Sequence, residues 1–221
     1  MKLLAQAVAK FLLGVVLTLL LLFVPAGGFD FANGWLFCAI LFLPMFAAGL
    51  VMWKKSPDLL QKRLKAKEKE GAQKRVVSAS ALIFVAGFVV AGLDHRFGWS
   101  HLPGWLVATA ALMFLCAYGL YAEVLRENAY LSRTIEVQEG QKVIDTGLYA
   151  IVRHPMYSAV ILLFLSMPVV LGSFWAFLIF LPFPALLAAR IKNEEAVLLE
   201  GLEGYRQYTQ RVRWRLIPYI W

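Results

Sequence analysis

The stretch GLYAIVRHPMY, residues 147–157, decides how the second half of this 221-residue chain folds. A glycine, the charged pair Arg153-His154 and then Pro155 precede a long apolar run. Proline is favoured just inside a helix start, because its missing N–H belongs to a position that has no intrahelical partner. We therefore predict that His154 is the N-cap and that Pro155 begins a membrane helix. The free N–H groups and partial positive charge of such a first turn suit an anionic or polar ligand.

The composition is typical of an integral membrane protein. Hydrophobic residues make up 61% of the chain and the mean hydropathy is +0.68, whereas soluble domains are about half apolar. The formal net charge is +8, but the basic residues flank apolar runs, which favours lipid headgroups over nucleic acid as their partners. Cys38 and Cys116 both lie in apolar runs without metal-ligand spacing, so we expect buried free thiols and no metal site.

Six apolar runs are close to the length that an α-helix needs to cross a bilayer, about 20 residues. The last two are joined only by Gly172-Ser173, which predicts a tight helical hairpin over 155–191. The predicted fold class is an all-α integral membrane protein with about six transmembrane helices. The predicted spans are residues 3–24, 33–53, 76–93, 104–125, 155–171 and 174–191.

Lysine and arginine lie almost entirely on one side of this six-span arrangement. Every one of them except Arg96 lies near the N-terminus, in the 54–75 loop, in the 126–153 segment or in residues 190–221. Because basic residues favour the cytoplasmic side, we predict that both termini are cytoplasmic. The 54–75 loop, which has nine of these basic residues, should form a short surface helix that orients the protein or binds acidic lipid.

Two segments of the second half have weaker patterns. Residues 134–144 alternate weakly between apolar and polar types on either side of Glu139-Gly140, which suggests short extended pieces. Residues 194–208 have apolar side chains at helical spacing, which predicts an amphipathic C-terminal helix.

Polar side chains should converge where the last two spans reach the basic side. Arg153 and His154 precede the fifth span, Arg190 ends the sixth, and Glu194 follows Arg190 by one helical turn on the same face. Because the two spans form a hairpin, His154 and Arg190 should lie at the same membrane depth. Ionisable residues grouped at the edge of a lipid-embedded bundle indicate a functional site.

Each of these residues also has a purely structural interpretation. The two arginines could be positive-inside anchors, the histidine could only cap a helix, and the pair Glu194-Glu195 could only complement a helix dipole. Tyr149 and Tyr157 could be interface aromatics.

The same residues resemble a known family. Tyr149, the block RHPMY at 153–157, the pair Glu194-Glu195 and the terminal pattern Tyr205…Tyr208…Val212…Ile217-Pro218 are similar to the isoprenylcysteine carboxyl methyltransferase family, within a wider group that includes phospholipid methyltransferases. The likeness covers residues 123–219, and the chain resembles a bacterial-type member of the family. The N-terminal half resembles the family only in being hydrophobic.

The resemblance implies two regions. Residues 1–125 are a four-span membrane region that contains the basic 54–75 loop. Residues 126–221 are a catalytic region that contains the 155–191 hairpin, and its 126–154 segment and C-terminal helix form a small cytoplasmic cofactor-binding part.

The resemblance also implies the members of the site. It implies that S-adenosyl-L-methionine is the methyl donor and that Arg190 contacts the acceptor carboxylate, with Arg190 and His154 as the catalytic residues. The implied donor contacts are Gln138, Gln141, Lys142, Val143, Ile144, Tyr149, His154, Pro155, Met156, Tyr157 and Glu194.

Methyl transfer suits these residue types. Aromatic rings can cradle a cationic sulfonium, and carboxylates can hold the ammonium or hydroxyl groups of the donor. A carboxylate acceptor is already ionised near neutral pH and needs only positioning, for which arginine presents a matching fork. We therefore predict a multi-pass methyltransferase of the cell inner (cytoplasmic) membrane. Its acceptor is a lipophilic small molecule or lipidated substrate that enters from the bilayer.

Other functions fit the sequence as well. The acceptor could be a prenylated thioether carboxylate, a phospholipid amine or a small thiol. An NADPH-dependent membrane reductase of related fold is a second hypothesis, although the chain has no glycine-rich dinucleotide fingerprint. A non-enzymatic membrane protein such as a small transporter is the third. It should have polar groups at the midplane of several spans, and the first three spans have almost none.

Overall fold

The computed structural model describes residues 2–64, 71–131, 135 and 137–221. In these residues all regular structure is helical, which confirms the predicted fold class. The α-helices in chain order are α1 Lys2–Ala26, α2 Ala32–Lys55, α3 Pro57–Leu64, α4 Gly71–Phe97, α5 Gly104–Glu127, α6 Pro155–Val170, α7 Phe174–Phe180, α8 Phe183–Gly201 and α9 Tyr205–Arg211, with a short 3₁₀ turn at Gly147–Ala150 before α6.

Five stretches are long and apolar enough to cross a membrane: Lys2–Ala26, Ala32–Lys55, Lys74–Phe97, Gly104–Glu127 and Phe174–Gly201. The first four agree with the first four predicted spans. The predicted fifth span is α6, which has only 16 residues. At 1.5 Å per residue it is about 24 Å long, shorter than the bilayer's hydrocarbon core of about 30 Å.

The predicted sixth span, 174–191, lies within the candidate membrane span Phe174–Gly201, but this stretch is not one uninterrupted helix. The chain breaks at Leu181-Pro182 into α7 and α8. Pro182 has no N–H to continue the ladder of α7, and its carbonyl instead accepts from Ala185 and Leu186 at the start of α8. α8 then continues ten residues past the predicted end, from Ile191 to Gly201.

The two ends of the helical bundle differ in their polar contacts. At one end Lys10 Nζ donates to the Leu64 carbonyl at 2.6 Å, and Lys62 Nζ donates to the Ala129 carbonyl at 3.2 Å. These contacts join α1, α3 and the chain after α5, so the basic segments predicted to share one side do lie together. We call this the basic end. Helix α3 forms the first part of the predicted surface helix, and residues 65–70 lie outside the described part.

At the opposite end, one buried carboxylate ties two loops to the end of α4. Asp94, at the end of α4, accepts hydrogen bonds from both the backbone N–H and the hydroxyl of Ser100, each at 2.7 Å, and from the Ser173 hydroxyl. Ser173 in turn accepts from the Ala176 N–H and so caps α7. Gly172 has φ +77°, a left-handed conformation that suits glycine. The predicted turn at Gly172-Ser173 is therefore confirmed.

Aromatic side chains form the core between the ends. Phe37, Phe114 and Phe180 are fully buried, and Phe84 contacts the Phe180 and Phe164 rings edge to face, with ring centroids 5.3 Å and 4.6 Å apart. Cys38 is buried at this core, as predicted, but Cys116 is exposed on α5, so the prediction that both thiols are buried is wrong. An apolar sequence does not distinguish a lipid-facing position from a protein-facing one.

The helix predicted over 194–208 is not continuous in the structure. α8 ends at Gly201, Gly204 has φ +81°, and α9 begins a new direction at Tyr205. After α9 the C-terminal segment, residues 212–221, returns to the start of α6. There the N–H groups of Arg153 and His154 donate to the carbonyls of Trp214 and Arg215, each at 2.9 Å.

The extended pieces predicted over 134–144 do not form strands in the described residues, 135 and 137–144. Gly140 has φ +67°, and the Gln141 N–H donates to the Gln138 carbonyl, so the chain turns here without pairing with a partner strand. Thr134 and Glu136, which belong to the same prediction, lie outside the described part.

Gly92 allows α1 and α4 to approach closely, and Gly92→Ala should destabilise the fold. An added Cβ would lie 2.4 Å from the Leu22 carbonyl oxygen, a backbone atom that cannot rotate away. We expect a loss of about 1–3 kcal/mol in unfolding free energy, measured in detergent micelles.

Gly14→Ala is the matched control, because nothing lies within 4 Å of its added Cβ. It should be neutral or slightly stabilising, since alanine is the better helix former. Equal stability of the two variants would contradict the packing of α1 on α4.

Candidate functional site

A polar cleft lies at the basic end, where α5, α6, α8 and α9 meet. Its cavity volume is about 100 Å³. The predicted site residues that line it are Gln141, Lys142, Val143, Ile144, Tyr149, His154, Met156, Tyr157, Arg190 and Glu194.

Two predicted donor contacts do not line the cleft. The Gln138 backbone N–H donates to Gln141 Oε1 at 2.9 Å, and its side-chain amide donates to the Tyr130 carbonyl, so Gln138 shapes the loop. Pro155 is fully buried as the first residue of α6. The lining residues that the sequence did not assign to the site are Asn128, Tyr130, Leu131, Ile135, Arg153, Leu198, Leu202, Tyr205 and Tyr208.

The Tyr157 hydroxyl joins Arg190 to Glu194. It donates to Glu194 Oε2 at 2.6 Å and accepts from Arg190 Nε at 3.0 Å. Spacing of four residues places Arg190 and Glu194 on one face of α8, and the hairpin brings the first turn of α6 against that face. The expected convergence of His154, Arg190 and Glu194 is present in the fold, because all three line the same cleft.

A second cluster lies directly behind the cleft wall and centres on Glu195. Its Oε1 accepts from Arg153 Nε at 2.7 Å and lies 3.2 Å from His154 Nε2, while its Oε2 accepts from Arg215 Nε at 2.7 Å. We call these four residues the Glu195 cluster. Glu195 is only 5% exposed, and burying a carboxylate requires such partners.

The Glu195 cluster corrects two structural interpretations of the sequence. Arg153 is not a surface anchor, because it is only 8% exposed and its Nη1 also donates to the carbonyls of Val212 and Arg213. The His154 side chain makes no capping hydrogen bond to α6, although the residue occupies the N-cap position as predicted. A carboxylate can only accept, so its contact with Glu195 places a proton on His154 Nε2.

The first turn of α6 has fewer free N–H groups than the sequence suggested. The N–H groups of Arg153 and His154 donate to the C-terminal segment, and those of Tyr157 and Ser158 donate to the His154 carbonyl. Anion binding by this helix start, which we expected, therefore has little support. Side chains provide most of the polar groups that face the cleft.

Three further tyrosines line the cleft, namely Tyr149, Tyr205 and Tyr208. The Tyr149 hydroxyl accepts from Asn128 Nδ2 at 2.9 Å, and the Tyr149 carbonyl accepts from the Tyr208 hydroxyl at 2.7 Å. Burial raises the pKa of Tyr149 to about 12, so its phenol stays neutral near pH 7. Tyr205, from the same helix as Tyr208, has a buried hydroxyl without a hydrogen-bond partner among the described residues.

The cleft contains the groups that a cationic nucleoside cofactor needs. Aromatic rings and the Glu194 carboxylate face the same space as Arg190. Among the described residues, no group of three or more His, Cys, Asp or Glu side chains is arranged to hold a metal ion.

Comparison with known proteins agrees with this architecture. The model of the isoprenylcysteine carboxyl methyltransferase (ICMT) family matches residues 107–200. This part of the chain is similar to the ICMT family. It runs from α5 to the end of α8 and so includes the Tyr157–Arg190–Glu194 contacts and Glu195. The ICMT match ends before α9, which contributes Tyr205 and Tyr208 to the cleft lining.

The chain is also similar, over part of its length, to a protein that is named for a different activity. The Delta(14)-sterol reductase TM7SF2 of Mus musculus is 31% identical over 91 residues. The aligned stretch covers 40% of this chain and 22% of the reductase, so the chain matches less than a quarter of that relative's length. The chain therefore has partial likeness to a methyltransferase family and to a sterol reductase.

Replacing Glu195 should loosen the C-terminal segment. Glu195→Gln removes the charge that compensates buried Arg153, and breaking a buried ion pair costs about 3–5 kcal/mol of unfolding free energy. We expect faster amide hydrogen exchange at residues 212–216 as well as lower stability.

Glu200→Gln, at an exposed position on the same helix, is the control and should leave both measurements unchanged. Unchanged exchange at residues 212–216 in Glu195→Gln would contradict the role assigned to this carboxylate.

Proposed function

We propose that this protein is an integral-membrane methyltransferase that uses S-adenosyl-L-methionine and methylates a lipophilic acceptor, in the manner of a protein-S-isoprenylcysteine O-methyltransferase. The similarity of residues 107–200 to the ICMT family supports the reaction class. The observation that supports the site most strongly is the linked set of Tyr157, Arg190 and Glu194 inside the cleft.

The residues of the cleft divide between donor and acceptor. Glu194 offers a carboxylate for the ammonium or hydroxyl groups of the donor, and the rings of Tyr149 and Tyr157 offer faces for a sulfonium. When bound, the donor supplies a methyl group whose bond to sulfur breaks with its electron pair retained by sulfur. Arg190 lies where it can orient a carboxylate acceptor, which needs no deprotonation at neutral pH.

Geometry explains why these residues suffice. Methyl transfer needs the two reacting groups in line, and holding them in place supplies much of the acceleration. Tyr157 fixes Arg190 relative to Glu194, so the acceptor-orienting and donor-binding groups keep a constant separation. In our proposal the acceptor enters sideways from the bilayer and the donor enters from the cytoplasm, with both termini and the basic end on the cytoplasmic side of the inner membrane.

A membrane reductase is the second candidate, because the sterol reductase of Mus musculus is similar over 91 residues. It would bind a reduced nicotinamide dinucleotide in the same cleft. Binding of the two cofactors to purified protein in detergent separates the two candidates.

Donor binding should be saturable and specific. We expect the purified protein to bind labelled S-adenosyl-L-methionine but not NADPH. His154→Ala and Glu194→Ala should each weaken that binding roughly 10- to 100-fold, as is typical when a hydrogen bond to a charged group is lost. Lys192→Ala, which removes an exposed charge from the same helix, should bind as the wild type does. Saturable binding of NADPH alone would favour the reductase.

Arg190→Ala should separate binding from turnover. Because Arg190 is assigned to the acceptor, donor affinity should stay within about twofold while methyl transfer is lost. The assay incubates wild type or variant with labelled donor and a membrane lipid extract, and base hydrolysis of the labelled product releases methanol only from a methyl ester. Loss of donor affinity in folded Arg190→Ala would show that our division of roles is wrong.

A further inference from the structure

Tyr205 presents an unusual polar atom at the cleft. Its side chain lines the cleft and is only 4% exposed, yet its hydroxyl makes no hydrogen bond with any described residue. A buried hydroxyl without a partner is unfavourable for the folded state, and most such groups in proteins are satisfied. An unsatisfied buried hydroxyl on a residue that lines a cleft indicates that a ligand supplies the partner.

Comparison with Tyr208 shows that a buried position on α9 does not by itself leave a tyrosine hydroxyl without a hydrogen bond. The two tyrosines lie one helical turn apart with ring centroids at 5.7 Å, and Tyr208 is even less exposed, at 2%. The Tyr208 hydroxyl nevertheless donates to the Tyr149 carbonyl at 2.7 Å. Both residues line the cleft, but among the described residues the fold satisfies only the Tyr208 hydroxyl.

The charges around Tyr205 restrict what the partner can be. Burial, and then the carboxylates of Glu195 and Glu194, hold the pKa of Tyr205 well above its usual range, so the phenol keeps its proton and needs an acceptor. A ligand carboxylate would be repelled by the two glutamates. An ammonium has no lone pair, and the lone pair of a cationic sulfonium is too weak an acceptor for a phenol. A sugar hydroxyl can accept from the phenol and donate to a carboxylate at the same time.

We infer that the Tyr205 hydroxyl donates to a ribose hydroxyl of the nucleoside part of the methyl donor, which makes Tyr205 a donor-binding residue. This inference rests on the proposed function. It assigns a ligand contact to α9, which lies beyond the part of the chain that matches the ICMT family.

Removing the hydroxyl tests the assignment with a readout other than turnover. The probe is S-adenosylhomocysteine, the thioether product, measured by calorimetry on purified full-length protein. Tyr205→Phe should weaken its binding about threefold to tenfold, the usual effect of one neutral hydrogen bond. Without ligand, the unfolding temperature of this variant should equal or exceed that of the wild type, because no protein partner loses a bond.

Tyr208→Phe is the matched control. It leaves the Tyr149 carbonyl without its donor, so it should lower the unfolding temperature without ligand. Its folded fraction should lose less affinity for S-adenosylhomocysteine than Tyr205→Phe does. A drop in unfolding temperature for Tyr205→Phe as large as that for Tyr208→Phe would mean a structural hydroxyl and would overturn the inference.

Deoxynucleosides test the ribose contact itself. Adenosine, 2′-deoxyadenosine and 3′-deoxyadenosine are compared as competitors of bound S-adenosylhomocysteine. The wild type should bind at least one deoxynucleoside more weakly than adenosine, and Tyr205→Phe should lose that preference. If Tyr205→Phe keeps the full preference or binds S-adenosylhomocysteine like the wild type, the inference fails alone. If the wild type does not bind S-adenosylhomocysteine, the proposed function fails with it.

Discussion

One buried carboxylate, Glu195, holds three separate parts of this chain together. Two arginines and a histidine from the start of α6 and from the C-terminal segment meet on its two oxygens. A buried charge is tolerated only when such partners surround it, so each part fixes the others. The cleft depends on this arrangement, because the C-terminal segment held by Glu195 directly follows α9, and α9 contributes Tyr205 and Tyr208 to the cleft lining. Glu194, which precedes Glu195 in the sequence, lines the cleft and accepts a hydrogen bond from the Tyr157 hydroxyl.

The sequence predicted the parts of the fold that depend on local physics. Apolar length identified the first four spans, glycine and serine identified the turn at Gly172-Ser173, and Pro155 identified the start of α6. Four-residue spacing on one helix also predicted that Arg190 and Glu194 share a face. Each of these follows from the chemistry of a few adjacent residues.

The sequence did not predict features that depend on packing between distant residues. Glu194 and Glu195 are adjacent and chemically identical, and only the packing of α8 decides which of them faces the cleft and which is buried. Arg215 reaches Glu195 because the chain reverses after α9, and no local pattern indicates that return. Pro182 was a visible signal for the break between α7 and α8, but the apolar run on both sides of it outweighed that signal in our prediction.

The cleft offers an explanation for likeness to two kinds of enzyme. In our account, the polar cleft at the basic end accommodates a water-soluble cofactor and a lipophilic substrate together. The residues that contact the cofactor then decide the reaction type. Hydrogen exchange with and without cofactor tests this most directly. The account predicts that S-adenosylhomocysteine protects amides in residues 141–157 and 194–208, with no change at residues 94–102 of the opposite end. Protection by NADPH instead, or no protection at the cleft by either cofactor, would contradict it.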